Sequence, residues 1–207
     1  MSSNLFLAVV DKGKADGLMR SAKKAGSRGG TILTARAIAS NSLLCILGLG
    51  DSRKEILLTL VDEAERQSVW DGLVNSKHFR GMAASFVASW EGPVDTQVVD
   101  QEWNLLSVIC NNGLGDDILT AVRKVQPVGG LIVDGRGTAQ LGDIPFFWAH
   151  LVPEKELVLA FIPASSTDAV LQAVGKLKGL QAQGSGIAFT LPVVDIATKK
   201  HKTSSVS

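Results

Sequence analysis

An internal repeat is the feature of this sequence that most constrains its fold. Residues 4–40 align with residues 104–140 without a gap, and "KEILLTLV" (54–61) and "GMA" (81–83) fall on "KELVLAFI" (155–162) and "GIA" (186–188). A duplication of this length predicts two copies of one structural unit. The identical residues include Asn4 and Asn104, Leu5 and Leu105, Gly13 and Gly113, Asp16 and Asp116, Lys24 and Lys124, Gly29-Gly30 and Gly129-Gly130, and Arg36 and Arg136.

Both copies show the same order of predicted elements. The short apolar runs "LFLAVV" and "LLSVIC" indicate buried strands, and apolar residues at three- and four-residue spacings after them indicate amphipathic helices. A third strand and a second helix follow in each copy. The pattern predicts an α+β fold of two tandem ferredoxin-like βαββαβ units, with antiparallel sheets and helices on one face. We place the first unit at 1–92, a linker at 93–102, the second unit at 103–198 and a flexible tail at 199–207.

The strands lack the alternation of apolar and polar residues that a sheet with one solvated face requires. Runs such as "ILLTLV" and "LVLAFI" are apolar on both sides. An open apolar face of several hundred Å² is rarely left in contact with water. We therefore expect the second sheet face to be buried by association between the repeats, between chains, or both, which predicts a homo-oligomer, either a trimer or a dimer.

Charge and composition exclude some classes of function. The net charge of +1 argues against a nucleic-acid partner, because such proteins carry an excess of Lys and Arg on one face. No apolar run approaches the roughly 18 residues that a membrane span needs, so we predict no membrane insertion. Cys45 and Cys110 each lie in an apolar run without a second ligand at metal spacing, which is typical of reduced, buried thiols in a cytoplasmic protein.

Three sequence segments carry a family likeness. A first helix running into "AGSRGGTIL", a second strand ending in "GRGT" and a last strand "GSGIAFTLPV" together resemble the P-II nitrogen-regulatory signalling family, over nearly the whole chain. The resemblance implies three units with their sheets facing inward and an adenine nucleotide, ATP or ADP, bound in the clefts between units. It also implies a non-enzymatic regulator that controls a partner protein, such as a transporter or an enzyme of nitrogen metabolism.

The resemblance assigns candidate nucleotide-binding residues to the second copy. Glycines let backbone N–H groups approach an anion, and arginine offers a fork that matches phosphate. The first copy keeps Arg36 but lacks both flanking glycines, and we interpret it as degenerate. The assigned residues are Gly135, Arg136, Gly137 and Thr138 at the end of the second strand, Gly184, Ser185 and Gly186 before the last strand, and Lys199 and Lys200 near the C-terminus.

Several patterns allow two interpretations. Arg36 and Arg136 suit a structural ion pair as well as a ligand contact. The apolar segments 41–50 and 141–150 are either docking surfaces for a target protein or part of the oligomer core. No histidine has a partner at a recognisable catalytic or metal-binding spacing, so we predict neither catalytic nor metal-binding residues. The alternative to an effector-binding regulator is a ligand-free structural or protein-interaction module of the same fold.

Overall fold

The computed structural model describes residues 2–38, 51–89, 102–136, 154–181 and 185–199. These residues form both β-strands and α-helices, which confirms the predicted α+β class. Short 3-10 turns precede the second and fourth helices. In chain order the elements are β1 (Ser2–Asp11), α1 (Ala15–Lys24), β2 (Thr31–Ile38), β3 (Asp51–Asp62), α2 (Arg66–Val74), β4 (Gly81–Ser89), β5 (Trp103–Asn111), α3 (Gly115–Val125), β6 (Gly130–Arg136), β7 (Glu154–Pro163), α4 (Thr167–Gly175), β8 (Gly186–Pro192) and β9 (Asp195–Lys199).

The chain divides into two compact units. Unit 1 comprises Met1–Ala35, Arg53–Gln101 and Pro192–Ser207, and unit 2 comprises Arg36–Ser52 and Glu102–Leu191. In unit 1 the strand order is β2-β3-β1-β4-β9. β1 pairs antiparallel with β3 and β4, and β9 adds antiparallel to the outer side of β4. The order in unit 2 is β8-β5-β7-β6, with β7 antiparallel to β5 and β6.

The first helix of each unit forms because its sequence gives one apolar stripe and suitable charges at its ends. In α1, Leu18 and Ala22 are buried, and Ile118 and Val122 are their counterparts in α3. Both helices carry aspartate in the first turn and basic residues in the last, which suits the partial charges of the helix ends. Asp16 and Asp116 are the second residues of α1 and α3.

Each unit has its own apolar core between its helices and one face of its sheet. In unit 1, Phe6 and Ala8 of β1 pack with Leu57 of β3 and the buried side chains of α1 and α2. Val108, Val158 and Ile162 lie in the corresponding core of unit 2, with side chains of α3 and α4. The two cores use equivalent positions of the repeat, which explains why both copies keep the same apolar pattern.

The sheet face that does not carry the core is also largely shielded within a single chain. Leu7, Ile56 and Phe86 of unit 1 are 4%, 0% and 4% exposed. In unit 2, Leu105 and Leu159 are 3% and 7% exposed. These positions are buried on both sides of the sheet, as the apolar runs predict, whereas Leu60 and Ile109 on the same face are 45% and 39% exposed.

The units differ from the predicted domain ranges in two segments. β9 lies within the range assigned to the second unit, yet it pairs with β4 from Gly81 to Ser85 and so belongs to unit 1. The end of β2 pairs with β6, at Arg36 opposite Ile132, and belongs to unit 2. Lys199 ends β9 and is not part of a tail, whereas 93–101 and 200–207 lie outside the described residues. Within the described ranges no helix has the length and hydrophobicity to cross a membrane.

Candidate functional site

The predicted nucleotide-binding edge begins at the end of β6 in unit 2. Gly135 and Arg136 are exposed there, and they lie opposite Lys155 and Glu154 of β7. The antiparallel pair of β6 and β7 thus places Arg136 at the end of the sheet, where it is exposed to solvent. Gly137 and Thr138, which continue the predicted edge, lie outside the described residues.

The second predicted element lies at the start of β8. Ser185 is 6% exposed, and Gly186 begins the strand. A Cβ atom on Gly186 would lie 2.6 Å from the carbonyl oxygen of Ile109 and 2.7 Å from a methyl carbon of Leu180. This glycine is therefore required by close packing on β5, whether or not a ligand binds. Gly184 lies outside the described residues.

These two elements lie at the same end of the sheet of unit 2 but not side by side. β6 and β8 are separated by β7 and β5, a distance of three strand spacings, or about 14 Å. The third predicted element does not join them within unit 2. Lys199 lies opposite Gly81 in unit 1, and Lys200 is outside the described residues.

Polar side chains bridge the strands at this end of unit 2. The Lys155 ammonium donates to Asn111 Oδ1 at 2.6 Å, and the Asn112 amide donates to Glu154 Oε2 at 2.6 Å. Asn111 is the last residue of β5, the strand between β7 and β8, and Asn112 follows it. The bridges therefore fix the backbone of β5 and β7 at the rim where Arg136 emerges.

A buried carboxylate lies just below this rim. Glu156 is 6% exposed, and its Oε2 accepts a hydrogen bond of 2.7 Å from the backbone N–H of Gly115 at the start of α3. The carboxylate thus satisfies one of the unpaired donors of the helix N-terminus. Burial, followed by the nearby Glu156 carboxylate, raises the pKa of the Cys110 thiol to about 11. Cys110 is a free, buried thiol, as predicted, whereas Cys45 lies outside the described residues.

A second feature, which the sequence did not reveal as a site, is a cleft in unit 1 of about 510 Å³. Leu5, Leu58 and Leu60 form its apolar floor, and the segment Arg28–Thr31 forms its rim. The rim contains the glycine pair Gly29-Gly30. The one indication of a binding site here in the sequence is Arg28, the arginine immediately before these glycines.

The backbone of the rim is held in place by short hydrogen bonds. Thr59 Oγ1 donates to the carbonyl oxygen of Gly29 at 2.5 Å and lies 2.8 Å from Ser27 Oγ. A Cβ atom on Gly30 would lie 2.5 Å from the carbonyl oxygen of Leu58, so only glycine allows this approach of β2 to β3. The rim therefore keeps its shape without a ligand.

The charged groups of this cleft are exposed. Arg28 Nη2 lies 2.8 Å from Asp62 Oδ2, with side chains that are 87% and 53% exposed. An exposed pair of this kind contributes about 1 kcal/mol or less. Arg28 is therefore available to exchange its carboxylate partner for an anionic ligand at little cost.

The structure separates the two interpretations of Arg36. Its guanidinium makes two hydrogen bonds, of 3.2 and 3.0 Å, to the two carboxylate oxygens of Asp116 in α3. Arg36 thus has the structural ion pair that was one of its two predicted roles. Its counterpart Arg136 is exposed at the rim of unit 2.

Among the described residues, no group of three or more His, Cys, Asp or Glu side chains could hold a metal ion. His78 lies against Gly17, and partial burial, followed by the charges of Lys77, Arg20 and Lys14, lowers its pKa. The apolar segments 41–50 and 141–150 lie outside the described residues.

Comparisons with known proteins give only distant structural likenesses. No protein-family model and no curated protein matches the sequence. Among solved structures, an unknown protein from Galdieria sulphuraria is 15% identical, with 94% of this chain and 100% of that chain covered and a TM-score of 0.31. A putative monooxygenase from Fusobacterium nucleatum is 12% identical (96% and 94% covered, TM-score 0.29), and a chlorite dismutase mutant from Candidatus Nitrospira defluvii is 8% identical (94% and 91% covered, TM-score 0.28). With TM-scores this low, these likenesses carry no argument about function.

Proposed function

We propose that the chain is a non-enzymatic, P-II-like regulator that binds a small anionic effector and controls a partner protein. The effector that the family resemblance implies is an adenine nucleotide, and the implied setting is nitrogen metabolism or transport. The observation that carries the proposal is the arrangement at one end of unit 2, where exposed Gly135 and Arg136 share a sheet end with Ser185 and Gly186.

The chemistry of this sheet end suits a phosphate-bearing ligand. Arg136 offers a planar fork of donors, and Gly135 leaves its backbone open to close approach. The 14 Å between β6 and β8 is too long for one phosphate group, but a nucleotide has separate phosphate and base ends that reach different contacts. The adjoining positions Gly137, Thr138 and Gly184 complete the proposed set.

The finer architecture belongs to the same proposal. The elements from β1 to β4 and from β5 to β8 each have the order βαββαβ, and we interpret the two sets as tandem ferredoxin-like units derived from one ancestor. Association of chains, as a trimer or a dimer, would bring effector clefts together between neighbouring units, as in the family that the sequence resembles. A cytoplasmic location remains a prediction from the sequence.

Calorimetric titration of the full chain with ATP, ADP and cyclic AMP tests the effector. We expect at least one of them to bind, and Arg136→Ala to weaken that binding about tenfold or more, because a charge-assisted hydrogen bond contributes roughly 1.5–3 kcal/mol. Arg36→Ala is the matched control, since this arginine occupies the equivalent position in the other copy and is committed to Asp116. No heat with any of the three nucleotides would remove the nucleotide from the proposal.

The same titration of an Arg28→Ala variant tests whether the effector binds in the cleft of unit 1. If Arg28→Ala rather than Arg136→Ala abolishes binding, the effector occupies the cleft with the leucine floor. If Arg136→Ala, Arg36→Ala and Arg28→Ala all bind as tightly as the unaltered chain, no arginine contacts the effector at the sheet end of unit 2 or in the cleft of unit 1.

One observation favours the alternative of a ligand-free structural module. Gly186 is demanded by packing on β5, and Arg36 by its ion pair, so two residues of the predicted pattern have structural roles. Under this alternative Arg136→Ala changes thermal stability and no ligand affects the melting temperature of either protein. Melting curves with and without nucleotide therefore distinguish the two functions.

A further inference from the structure

The outer strand of unit 2 exposes an apolar surface. β8 lies at the end of the strand order, with β5 as its single neighbour among the described strands. Its side chains Ile187, Phe189 and Leu191 are 59%, 38% and 38% exposed. Because alternate residues of a strand point to the same side, these three form one apolar row. Ile109 of β5, which contacts the start of β8, is 39% exposed.

The equivalent strand of unit 1 shows how the same edge is closed. β4 matches β8 in the repeat, with Gly81 at the position of Gly186. An antiparallel strand, β9, pairs with β4 from Gly81 to Ser85. Ala84, the counterpart of Phe189, lies opposite Ile196 of β9 and is 0% exposed. The comparison indicates that the open edge of β8 accepts an antiparallel strand.

β8 also lacks the features that normally prevent strand addition at an edge. Proteins protect such edges with charged side chains, bulges or proline. The segment Gly186–Leu191 has no charged residue, and proline occurs only at its last position, Pro192. The edge strand of unit 1, β9, carries Asp195 and Lys199 by contrast.

We propose that β8 pairs antiparallel with β8 of a second copy of this chain. A twofold axis at Phe189 places this residue opposite itself and Ile187 opposite Leu191, so that the apolar rows of both copies lie on one face. The strand is uncharged, so self-pairing brings no like charges together. It forms an isologous interface, in which one patch serves both copies. This interface goes beyond the proposed effector function and does not depend on effector binding.

Such an interface is small, because one pair of short strands buries less than the roughly 1,200 Å² of a standard stable interface. We therefore expect a reversible dimer. Sedimentation velocity of the full chain over a range of concentrations should show a shift from monomer to dimer. Its dissociation constant should rise about tenfold or more in Phe189→Lys, because like charges would then lie directly opposite each other.

Val125→Lys is the matched control, since Val125 is also 38% exposed but lies at the end of α3. This variant should dimerise like the unaltered chain. Phe189→Glu should be monomeric on its own, whereas an equimolar mixture of Phe189→Glu and Phe189→Lys should form the dimer again. Recovery in the mixture shows that both variants fold and that residue 189 faces its own counterpart.

Three results would overturn the proposal. The first is a chain that remains monomeric at high concentration, and hydrogen exchange then tells whether another segment of the same chain protects β8. The second is an oligomer that Phe189→Lys does not weaken. In the third, the mixture of oppositely charged variants fails to associate although the unaltered chain does.

Discussion

In both units a glutamate accepts a hydrogen bond at the N-terminus of the first helix, but the two glutamates differ in burial. In unit 1, Glu55 accepts a hydrogen bond of 3.0 Å from the N–H of Ala15. In unit 2, Glu156 accepts one of 2.7 Å from Gly115, and this glutamate is 6% exposed. A Cβ atom on Gly115 would lie 2.8 Å from the Glu156 carboxylate. The glycine therefore allows unit 2 to bury a carboxylate that unit 1, with alanine, leaves partly exposed.

The two units thus share this helix cap although the residues around it differ. Lys54 bonds Asp11 at 2.5 Å in unit 1, and Lys155 bonds Asn111 at 2.6 Å in unit 2. The bridge between the ends of these two strands thus survives the change from aspartate to asparagine. The two copies also differ at their last strands, β4 and β8. β9 pairs with the outer side of β4, whereas β8 is the last strand in the described order.

The largest effect should come from the glycines that start the last strands. Gly81 has a φ of +145°, and a Cβ atom there would lie 2.0 Å from the carbonyl oxygen of Val9. We expect Gly81→Ala to destabilise the protein by about 3 kcal/mol or more, since backbone strain and overpacking each cost roughly 1–3 kcal/mol. Gly186→Ala should cost about 1–3 kcal/mol, because only the packing contribution applies. Urea unfolding of both variants measures the difference, and equal losses would contradict the comparison.

The helix caps should give the next largest effect. Glu156→Ala leaves the N–H of Gly115 without its partner in a buried site, which costs about 1–3 kcal/mol. Glu55→Ala should cost about 1 kcal/mol or less, because water reaches that site. Glu156→Gln retains an acceptor oxygen and serves as the control in the same thermal-unfolding measurement. A greater loss in Glu55→Ala than in Glu156→Ala would reverse the order of the two caps.

Cys110 tests whether the buried positions of the copies are interchangeable. Val10 occupies the same position in unit 1, and both residues are almost fully buried. Cys110→Val should therefore change the free energy of unfolding by less than about 1 kcal/mol. With a pKa of about 11, the thiol should also resist thiol reagents at pH 8 in a Cys45→Ser background. Rapid labelling of the folded protein would show that the site is open.

The smallest effect should follow from the Arg36 ion pair. The arginine and Asp116 side chains are 39% and 62% exposed. We expect Arg36→Ala to lower stability by about 0.5 kcal/mol, and high salt to remove most of that difference. A loss that salt leaves unchanged would indicate a role in packing rather than in charge pairing.

Sequence patterns predicted the helices and the strands β1 to β8 because each depends on local periodicity, whereas β9 was not predicted as a strand. Leu18 and Ala22 mark the buried stripe of α1 without any knowledge of what covers it. The partner of β9 was not predictable in this way, since pairing with β4 joins residues more than a hundred positions apart. Arg28 was not among the predicted site residues, because the family resemblance assigned the binding residues to the second copy. Lys199 is the last residue of β9, so its position in unit 1 could not be predicted for the same reason.

We propose that unit 2, not unit 1, carries the effector-binding edge. The most direct test is an assigned amide spectrum of the full chain, recorded by nuclear magnetic resonance during a titration with ATP. We expect shifts at Gly135, Arg136, Ser185 and Gly186, with Gly29 and Gly30 unchanged. Shifts confined to the cleft of unit 1, or no shifts at saturating nucleotide, would contradict it.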